Sequence, residues 1–521
     1  MPPAEIIDAG ALRLSVRPVV ACREVSWAGR LGFYLSIYDD EIDERVDAWS
    51  RTLQRERGPA AGAADPAALG ACLEPTDAVI ARTVDGSVAV ARGGCCTFPL
   101  YWRRSGADIA VSTSLPIGAR PTLSVAGLVK AAAAVNLCSS YEPNAWTETP
   151  LAGWHRFRRG VVTVIGQEAR ARETPILHGG SGDVDAETVV RSVRAAFEAY
   201  GVTQRPVVSS LVELSGGFDS TLAAAAALRP GHRMHGVSTA FPYYEFRFEE
   251  AVQHAVACSL GVTRTVIDGE RTFPYTPAAR PVMLDEPAVF VTGIRQAELF
   301  GELAAERGAT RIYNGIGGDQ LFVTDLTEHE SFSPRRPARW PFTRGARADM
   351  SCAAKEIQRG AALRDRRAAT FVYDARIDVW MKETFGAVPR SPFTDLAVFR
   401  AAEAWSRHCR ARGGRPDKSV LAEAAGDWLP AEVVERHGKV AYDGVWMRAY
   451  AANLESIAGA FERTAGVLER IGLLPDWLIR RAEALAAWQP VSDREVLAAY
   501  AIAVWLEAWG IEGETDAAWT G

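Results

Sequence analysis

The chain has few cysteines, and they are widely spaced. Eight are spread over 521 residues, and the only adjacent pair is Cys95-Cys96. Disulfide frameworks and zinc sites need cysteine pairs or Cys/His clusters at characteristic spacings. The sequence contains no such spacing, which argues against a structural zinc site and favours a reduced, cytoplasmic setting. We expect Cys95 and Cys96 to be small buried residues.

Long apolar segments are also absent. No segment reaches the roughly 18 consecutive apolar residues that a membrane-spanning helix needs, and the alanine tract after Leu222 ends at Arg229-Pro230. The first residues, MPPAEIIDAGALRLSVRP, lack the continuous apolar core and the cleavage site of a signal peptide. We therefore expect a soluble protein that does not bind membranes.

An excess of basic charge is missing as well. Lys and Arg number 58 against 64 Asp and Glu, so the net charge is −6. Non-specific binding to nucleic acid needs a basic field, and this chain is a poor candidate for it. At about 100–200 residues per domain, the length predicts two or three domains.

The hydrophobic pattern divides the chain into two parts. Residues 1–175 contain short apolar runs separated by Gly- and Pro-containing turns, which predicts either a sheet sandwich or a layered α+β domain. These runs lie at 78–84, 87–93, 108–114 and 160–166. The Gly- and Asp-rich segment 176–186 is typical of a connection between domains. We therefore assign residues 1–178 to a first domain and 187–521 to a second.

The second part alternates between strand-like and helix-like segments. Apolar runs at 207–214, 234–241 and 263–268 are separated by helix-like segments at 220–229 and 248–261. Strand-helix-strand alternation predicts a doubly wound parallel sheet with helices on both faces, and hence an α/β fold. After about residue 345 the pattern is mostly helical, with amphipathic stretches at 397–411, 447–471 and 476–509.

The segment SGGFDS, residues 215–220, lies between an apolar strand and an alanine-rich helix. Its glycines let the backbone approach an anion, and the amino end of the helix favours negative charge. Its two serines add hydroxyl groups. Because Asp219 would repel phosphates unless a divalent cation lay between them, the pattern predicts a magnesium–polyphosphate site. The alternative is an ordinary strand-helix turn with a capping side chain.

A second glycine turn follows another apolar strand. The sequence TRIYNGIGGDQLF reaches Asp319 after three glycines. Ligands of doubly wound sheets bind at the carboxyl ends of the strands, so the two turns can face one crevice. We expect Asp319 to be a second magnesium ligand, although an acid in this position alone is more often a helix cap.

These segments resemble those of a known superfamily. SGGFDS resembles the pyrophosphate-loop signature of ATP pyrophosphatases, and GIGGDQLF resembles the second signature of the asparagine synthetase superfamily. Later segments follow the order of that superfamily: RSPFTD (390–395), KSVL (418–421), LP (429–430) and RHGKVAYDG (436–444). Segments 85–87, 99–102 and 109–114 are similar to its glutaminase-like domain, an α+β sandwich of the N-terminal-nucleophile type.

The resemblance implies a reaction and a set of residues. Such enzymes use ATP and Mg²⁺ to activate a carboxylate as an acyl-adenylate, release pyrophosphate, and let an amine attack to give an amide. The expected polyphosphate contacts are Ser215, Gly216, Gly217, Asp219, Ser220 and Gly315. Asp219 and Asp319 would hold the magnesium, Lys439 matches the catalytic lysine, and Lys418 would contact pyrophosphate. Each lysine, taken alone, is more often a solvated surface charge.

Two departures from the superfamily pattern bear on the substrate. Glutamine hydrolysis there uses an N-terminal cysteine, but here Pro2 follows Met1 and the nearest cysteine is Cys22. We therefore expect the first domain to be a glutaminase relic without activity. In addition, Ile316 stands where asparagine synthetases have glutamate and β-lactam synthetases have tyrosine. An isoleucine can neither carry a proton nor hydrogen-bond an incoming amine.

These departures leave the lasso peptide cyclases as the most similar branch. Such enzymes adenylate an Asp or Glu side chain of a precursor peptide, and the N-terminal amine of the peptide closes a macrolactam. The resemblance implies a precursor peptide, a leader-binding protein and a leader peptidase as partners. The alternatives are a small-molecule amide or β-lactam synthetase and a non-catalytic scaffold relative.

Three further segments have two interpretations each. The aromatic segment 243–248 either grips a peptide or packs in the core. The Arg-rich segment 335–347 is either a lid over phosphates or a solvated loop. Asp285-Glu286-Pro287 either forms a further polar wall of the site or begins a helix.

Overall fold

The fold is that of a computed structural model. It describes residues 5–9, 12–27, 30–38, 40–57, 68–83, 86–96, 98–106, 108–118, 120–138, 147–166, 171–176, 184–203, 209–228, 233–243, 247–323, 375–434 and 442–520.

The strands are numbered along the chain. Those of the first part are β1 (Glu5–Ala9), β2 (Leu12–Val16), β3 (Ala21–Trp27), β4 (Arg30–Ser36), β5 (Ala78–Arg82), β6 (Val88–Arg92), β7 (Tyr101–Ser105), β8 (Asp108–Ser112), β9 (Thr122–Ser124), β10 (His155–Arg156), β11 (Val161–Ile165) and β12 (Ala171–Pro175). Those of the second part are β13 (Ser210–Glu213), β14 (Met234–Ala240), β15 (Thr263–Asp268), β16 (Arg311–Tyr313), β17 (Val388–Arg390) and β18 (Ala518–Thr520).

The helices are numbered in the same way. Those before the middle of the chain are α1 (Ile42–Arg57), α2 (Ala68–Ala71), α3 (Val125–Cys138), α4 (Ala186–Thr203), α5 (Phe218–Ala227) and α6 (Arg247–Ser259). Those that follow are α7 (Ile294–Glu306), α8 (Gly318–Phe322), α9 (Ala375–Phe385), α10 (Leu396–Ala411), α11 (Ser419–Ala425), α12 (Ala431–Val434), α13 (Asp443–Arg463), α14 (Ala465–Arg470), α15 (Pro475–Ala486) and α16 (Arg494–Ala508).

Two sheets pack face to face in the first part of the chain. Their strand orders are β1-β2-β8-β7-β10 and β12-β11-β6-β5-β4-β3. In β5, Ala78 and Ile80 lie in the core between the two sheets. The alternate residues Val79 and Ala81 pack on the other face, in a cluster that includes Trp49 of α1. Successive side chains of a strand point to opposite faces, so the continuous apolar run of β5 reflects burial on both sides.

We call this two-sheet part the sandwich. It has the layered α+β architecture that the short apolar runs predict, and Cys95 and Cys96 are buried in the structure. The likeness of the sandwich to a glutaminase stays a prediction. Strands β1 to β4 were not among the predicted segments.

The second part is built on a parallel sheet. Its order is β15-β14-β13-β16-β17, and each neighbouring pair is parallel. Leu211 and Ile312 pack on one face, in a cluster that includes Phe300 of α7. Val212 and its neighbours pack on the other face against α5 and α6. The prediction of an α/β fold with a parallel sheet and helices on both faces is confirmed.

Two of the predicted amphipathic stretches each contain two helices. The stretch 447–471 spans most of α13 and all of α14, which are separated by Thr464. The amphipathic stretch 476–509 divides into α15 and α16. The first ends in a helix-terminating turn, in which Trp488 N–H donates to Leu485 O and Gln489 N–H to Ala484 O. Trp488 has a left-handed φ of 59°, and Pro490 follows two residues later. Proline has no N–H and cannot continue the helical hydrogen bonding, so the separation follows from the sequence at this point.

The end of the chain returns to the first part and forms a separate two-stranded sheet with it. Strand β18 pairs in parallel with β9, and α3 packs with α16 in one apolar cluster. The parts on either side of the predicted boundary are therefore in extensive contact. The domain limits 1–178 and 187–521 stay predictions. Within the described part of the chain, none of the helices has the length and apolar character to cross a membrane.

The Asp285-Glu286 pair fits neither of its predicted interpretations. The guanidinium of Arg17 donates to both oxygens of Asp285 at 2.7 Å, and Arg156 Nε donates to Glu286 Oε1 at 3.0 Å. Both arginines belong to the sandwich, and all four side chains are buried. The two acids therefore neither line the site nor begin a helix. They form buried ion pairs that join the second part of the chain to the sandwich.

A small polar cavity lies at the same boundary. Its volume is about 10 Å³, close to the smallest that holds one water molecule. Glu74 and Asp395 line it from opposite parts, together with Arg45 and Arg390. Burial and the neighbouring Asp395 carboxyl raise the pKa of Glu74 to about 7. The carboxyl group is therefore protonated in the folded state at weakly acidic pH.

Replacement of Glu74 by Gln, which stays neutral, tests this protonation. A raised pKa stabilises the fold below the ordinary pKa of 4.5, and this contribution is lost as the pH rises through about 7. The free energy of unfolding of Glu74→Gln should therefore rise relative to the wild type by roughly 2–3 kcal/mol between about pH 5 and about pH 8. Urea unfolding at several pH values measures it. The exposed Glu306 supplies the control: the free energy of unfolding of Glu306→Gln should change with pH as that of the wild type does. The same pH dependence in Glu74→Gln and the wild type would contradict the raised pKa of Glu74.

Candidate active site

The two predicted glycine turns lie side by side. Strand β13 leads into the segment 215–220, strand β16 leads into 314–319, and the two strands are paired neighbours. The sheet order reverses between them, because β14 and β15 lie on one side and β17 on the other. Such a reversal is the topological switch point, where doubly wound sheets bind their ligands.

The first turn presents the amino end of a helix. Gly216 has φ of +76°, a left-handed conformation that glycine adopts without strain. Gly217 is the N-cap of α5, where no side chain caps the helix. The hydroxyl oxygens of Ser215 and Ser220 are 2.8 Å apart. The turn therefore combines helix N–H groups and two hydroxyls, which are the donors that an anion needs.

The second turn packs directly against the first. A Cβ on Gly315 would lie 2.4 Å from Ser220 N, and one on Gly318 would lie 2.3 Å from Asp219 Cγ. Gly315 faces backbone atoms that cannot move aside, so this position requires glycine, whereas a Cβ at 318 would force the Asp219 side chain to move. The approach to α5 thus explains Gly315 and Gly318, and a left-handed φ of 108° explains Gly317.

Lys418 joins the two turns electrostatically. Its Nζ lies 2.6 Å from Asp219 Oδ2 and 2.6 Å from Asp319 Oδ1. The Asp219 side chain is 16% exposed and that of Asp319 is 51% exposed. Lys418 precedes α11, far along the chain from both acids. Two carboxylates from neighbouring strands therefore share one cation at the carboxyl edge of the sheet.

The arrangement fits a magnesium–polyphosphate ligand. Mg²⁺ in phosphate sites is commonly held by one or two carboxylates, with phosphate oxygens and water as the other ligands. The position of the Lys418 ammonium group demonstrates that Asp219 and Asp319 can bind one cation together. Bound there, the metal would neutralise charge on the phosphates.

Ile316 occupies the middle of the second turn. Its side chain is 38% exposed, and its backbone is held from two directions. Ile316 N–H donates to Asn314 Oδ1 at 3.2 Å, and the Ser391 hydroxyl donates to Ile316 O at 2.6 Å. Neither Asn314 nor Ser391 had a role predicted for it. The signal for Ser391 was its place in the segment RSPFTD.

Aromatic side chains surround the carboxyl end of β14. Phe241 stacks on Tyr243 with ring centroids 6.3 Å apart and meets Tyr442 edge to face at 6.3 Å. The guanidinium carbon of Arg448 lies 3.8 Å from the centroid of Tyr243 and 5.5 Å from that of Trp488. We call these five residues the aromatic face. It lies one strand away from the first glycine turn, on the same edge of the sheet.

Several predicted residues lie outside the described part. These are Lys439, the Arg-rich segment 335–347, and residues 244–246 of the aromatic segment. Of the latter segment, Tyr243 belongs to the aromatic face and Phe248 is 75% exposed. Tyr442, three residues after Lys439, contacts Phe241.

Replacement of Gly318 by Ala tests the packing of the two turns. The added methyl group must displace Asp219, so we expect the free energy of unfolding to fall by about 1–3 kcal/mol. Denaturant unfolding measures it. Gly118→Ala is the matched control, because a Cβ there has no atom within 4 Å. Equal stability of the two variants would mean that the turns are not in contact.

The comparisons with known proteins agree with this geometry. No curated protein matches the chain. Residues 202–384, about a third of the chain, match the family model of asparagine synthase. The matched segment contains both glycine turns, whereas Lys418 lies beyond it. This part of the chain is therefore similar to the asparagine synthase family, which supports a place in the asparagine synthetase superfamily and an ATP-dependent amide-forming ligation in general.

Proposed function

We propose that the protein is an ATP-dependent lasso peptide cyclase. It adenylates an Asp or Glu side chain of a leader-free precursor peptide and releases pyrophosphate. The N-terminal amine of the same peptide then displaces AMP and closes a macrolactam ring. The observation that carries the nucleotide half of this proposal is the approach of Asp219, Asp319 and Lys418 at the switch point of the sheet.

The residues of the two turns have separate roles in binding ATP. Ser215, Gly216, Gly217 and Ser220 surround the polyphosphate with N–H and hydroxyl donors, and Gly315 leaves room beside them. Asp219 and Asp319 hold Mg²⁺. The metal would neutralise charge on the phosphates, and Lys418 would contact pyrophosphate, where its charge would stabilise the leaving group.

Lys439 is the proposed catalytic lysine. The assignment comes from its place in the segment RHGKVAYDG. Tyr442 of this segment belongs to the aromatic face. A fixed ammonium group near the reacting carbonyl would stabilise the negative charge that develops as the amine attacks.

Ile316 supports the proposal that the attacking amine belongs to the peptide substrate itself and is not a separate molecule. Its partly exposed side chain lies in the turn beside the proposed phosphate site, and it offers no proton acceptor to a free amine or ammonia. Attack by the N-terminus of the same peptide needs positioning more than acid–base assistance. Such proximity can supply roughly 7–11 kcal/mol of the barrier reduction.

The aromatic face supports a peptide substrate over a small metabolite. Trp488 and Tyr442 are exposed by 54% and 47%. Arg448 lies over the rings of Tyr243 and Trp488, and Tyr442 meets Phe241. Aromatic rings and a guanidinium plane offer a broad contact surface for a peptide chain. The leader-binding protein and the leader peptidase are further proposed partners, which would deliver the peptide with its amine exposed.

Mass spectrometry of a precursor peptide tests the function. The peptide should be encoded near the enzyme, have its leader removed, and be incubated with the purified chain, ATP and Mg²⁺. We expect the peptide to lose the mass of one water molecule while AMP and pyrophosphate form. AMP formed only with small carboxylates and amines would favour a small-molecule synthetase. Absence of AMP with every candidate substrate would favour the scaffold alternative.

The proposed lysine role predicts the behaviour of Lys439→Ala. The variant should fold like the wild type but form no detectable cyclic product, because charge on the reacting carbonyl is no longer stabilised. Product mass spectrometry and circular dichroism measure the two properties. Retained turnover would overturn the role.

Asp319→Asn tests the metal site. A lost charge–charge contact with Mg²⁺ should raise the magnesium concentration for half-maximal AMP formation by about tenfold or more. Titration of Mg²⁺ at fixed ATP measures it. Asp476→Asn is the matched control, because Asp476 is exposed in the first turn of α15. An unchanged magnesium requirement would remove Asp319 from the site.

A further inference from the structure

Glu41 belongs to the sandwich, but its carboxylate lies against the parallel sheet. It is buried at the start of α1. Arg390 NH1 and NH2 donate to its two oxygens at 2.6 and 2.8 Å, and Arg311 NH2 donates to Oε1 at 2.7 Å. Arg45 of α1 approaches the same carboxylate at 3.1 Å. Three guanidinium groups therefore converge on one acid at the boundary between the two parts.

The ionisation state of this acid follows from its neighbours. Burial disfavours the charged carboxylate, but the charges of Arg390 and Arg45 outweigh burial, and the pKa of Glu41 falls well below its usual value. Glu41 is therefore ionised throughout the physiological range. Its contacts with the two sheet arginines are charge-assisted hydrogen bonds, which hold their geometry more firmly than neutral ones.

Both sheet arginines lie close to the second glycine turn. Arg311 begins β16, the strand that leads into the turn, and Arg390 ends the neighbouring β17. The backbone N–H of Asn314 donates to Arg390 O at 2.9 Å. The next residue, Ser391, donates its hydroxyl to Ile316 O at 2.6 Å. Glu41 is thus connected to the turn by its hydrogen bonds to Arg390, and by the hydrogen bonds that Arg390 and its chain neighbour Ser391 form with the turn.

The position of the turn 314–319 affects the position of Asp219, because the two are packed together. Gly315 and Gly318 leave no space between this turn and α5. A small displacement of the turn therefore moves Asp319 directly and changes the packing of Asp219. Lys418, which contacts both acids, would follow.

We propose that Glu41 is a positioning residue, through which the sandwich fixes the turn 314–319 of the nucleotide site. This role gives the sandwich a part in the synthetase reaction that requires no chemistry of its own. The inference that Glu41 positions the turn does not depend on which ligand binds there. The expected effect of Glu41 on ATP binding rests on the proposed function.

The rival explanation is that Glu41 only holds the two parts together. A buried ionic cluster is a weak source of net stability, because desolvation offsets much of the attraction. Arg17–Asp285 and Arg156–Glu286 already join the two parts. The acids of these pairs lie in the segment 285–286, whereas the two sheet arginines that bind Glu41 lie on β16 and β17, the strands next to the second glycine turn. These pairs supply the matched control.

The experiment compares three variants of the full-length chain with the wild type. Glu41→Gln removes the charge that organises the arginines. Ser391→Ala removes only the hydroxyl that contacts the turn, so it keeps the test valid if Glu41→Gln does not fold. Arg156→Gln breaks a buried ionic contact elsewhere on the boundary. Hydrogen–deuterium exchange of the peptide covering 314–322 is measured without nucleotide, together with the apparent KM for ATP and kcat in AMP formation.

We expect the exchange of 314–322 to accelerate about fivefold in Ser391→Ala, as the loss of one hydrogen bond predicts, and at least as much in Glu41→Gln. The apparent KM for ATP should rise by a similar factor. Arg156→Gln should leave the KM for ATP unchanged, because general destabilisation lowers the folded fraction and hence kcat but not KM. It should accelerate the exchange of 314–322 no more than that of the rest of the chain. Unchanged exchange in Ser391→Ala and Glu41→Gln would overturn the proposal, as would equal acceleration in Arg156→Gln.

The two proposals fail in different ways. A wild-type chain that forms no AMP would overturn the proposed function, while faster exchange in the first two variants would still support the positioning of the turn. Faster exchange combined with an unchanged KM for ATP would show that the turn is held by Glu41 but does not bind the nucleotide, and would overturn the link between them.

Discussion

The mutual repulsion of Asp219 and Asp319 is the constraint on which the site depends. Parallel pairing of β13 and β16 brings the two carboxylates to the same edge of the sheet, and a cation must lie between them for the fold to tolerate the approach. Lys418 meets this need at 2.6 Å from each acid. The folded state thus places one cation, the Lys418 ammonium group, in contact with both acids.

The remainder of the structure restricts how far these groups can move. Glycines at 315 and 318 set the spacing of the turns, and the buried arginines of the boundary set the position of the sandwich relative to the sheet. Close packing holds the atoms of the two turns against each other, whereas the ion pairs hold the sandwich against the parallel sheet. The packing of the sandwich against the sheet therefore bears on the position of the site.

The sequence predicts the parts of the fold that depend on local pattern. The runs that became β13 and β14 and the two glycine turns were recognisable, because buried parallel strands are continuously apolar and tight turns need glycine. The edge strand β15 is exposed or half-buried along its length, and it was recognisable from its place in the strand-helix alternation. The proximity of Lys418 to Asp219 could not be predicted from composition, since 199 residues separate them. The same holds for Arg17 and Asp285, which are 268 residues apart. Such charges become partners only when the chain folds, within the second part for Lys418 and Asp219 and between the two parts for Arg17 and Asp285.

The pairing of β18 with β9 has a consequence for the integrity of the molecule. The chain leaves the sandwich near residue 176, builds the parallel sheet and its helices, and then returns to add its last strand beside Leu123. A protease that cut the connection would produce two fragments that still share a strand pair and the apolar contact of α3 with α16. The fragments would remain associated, because the hydrogen bonds of β18 with β9 and the apolar contact of α3 with α16 join the first part of the chain to its end independently of the connection.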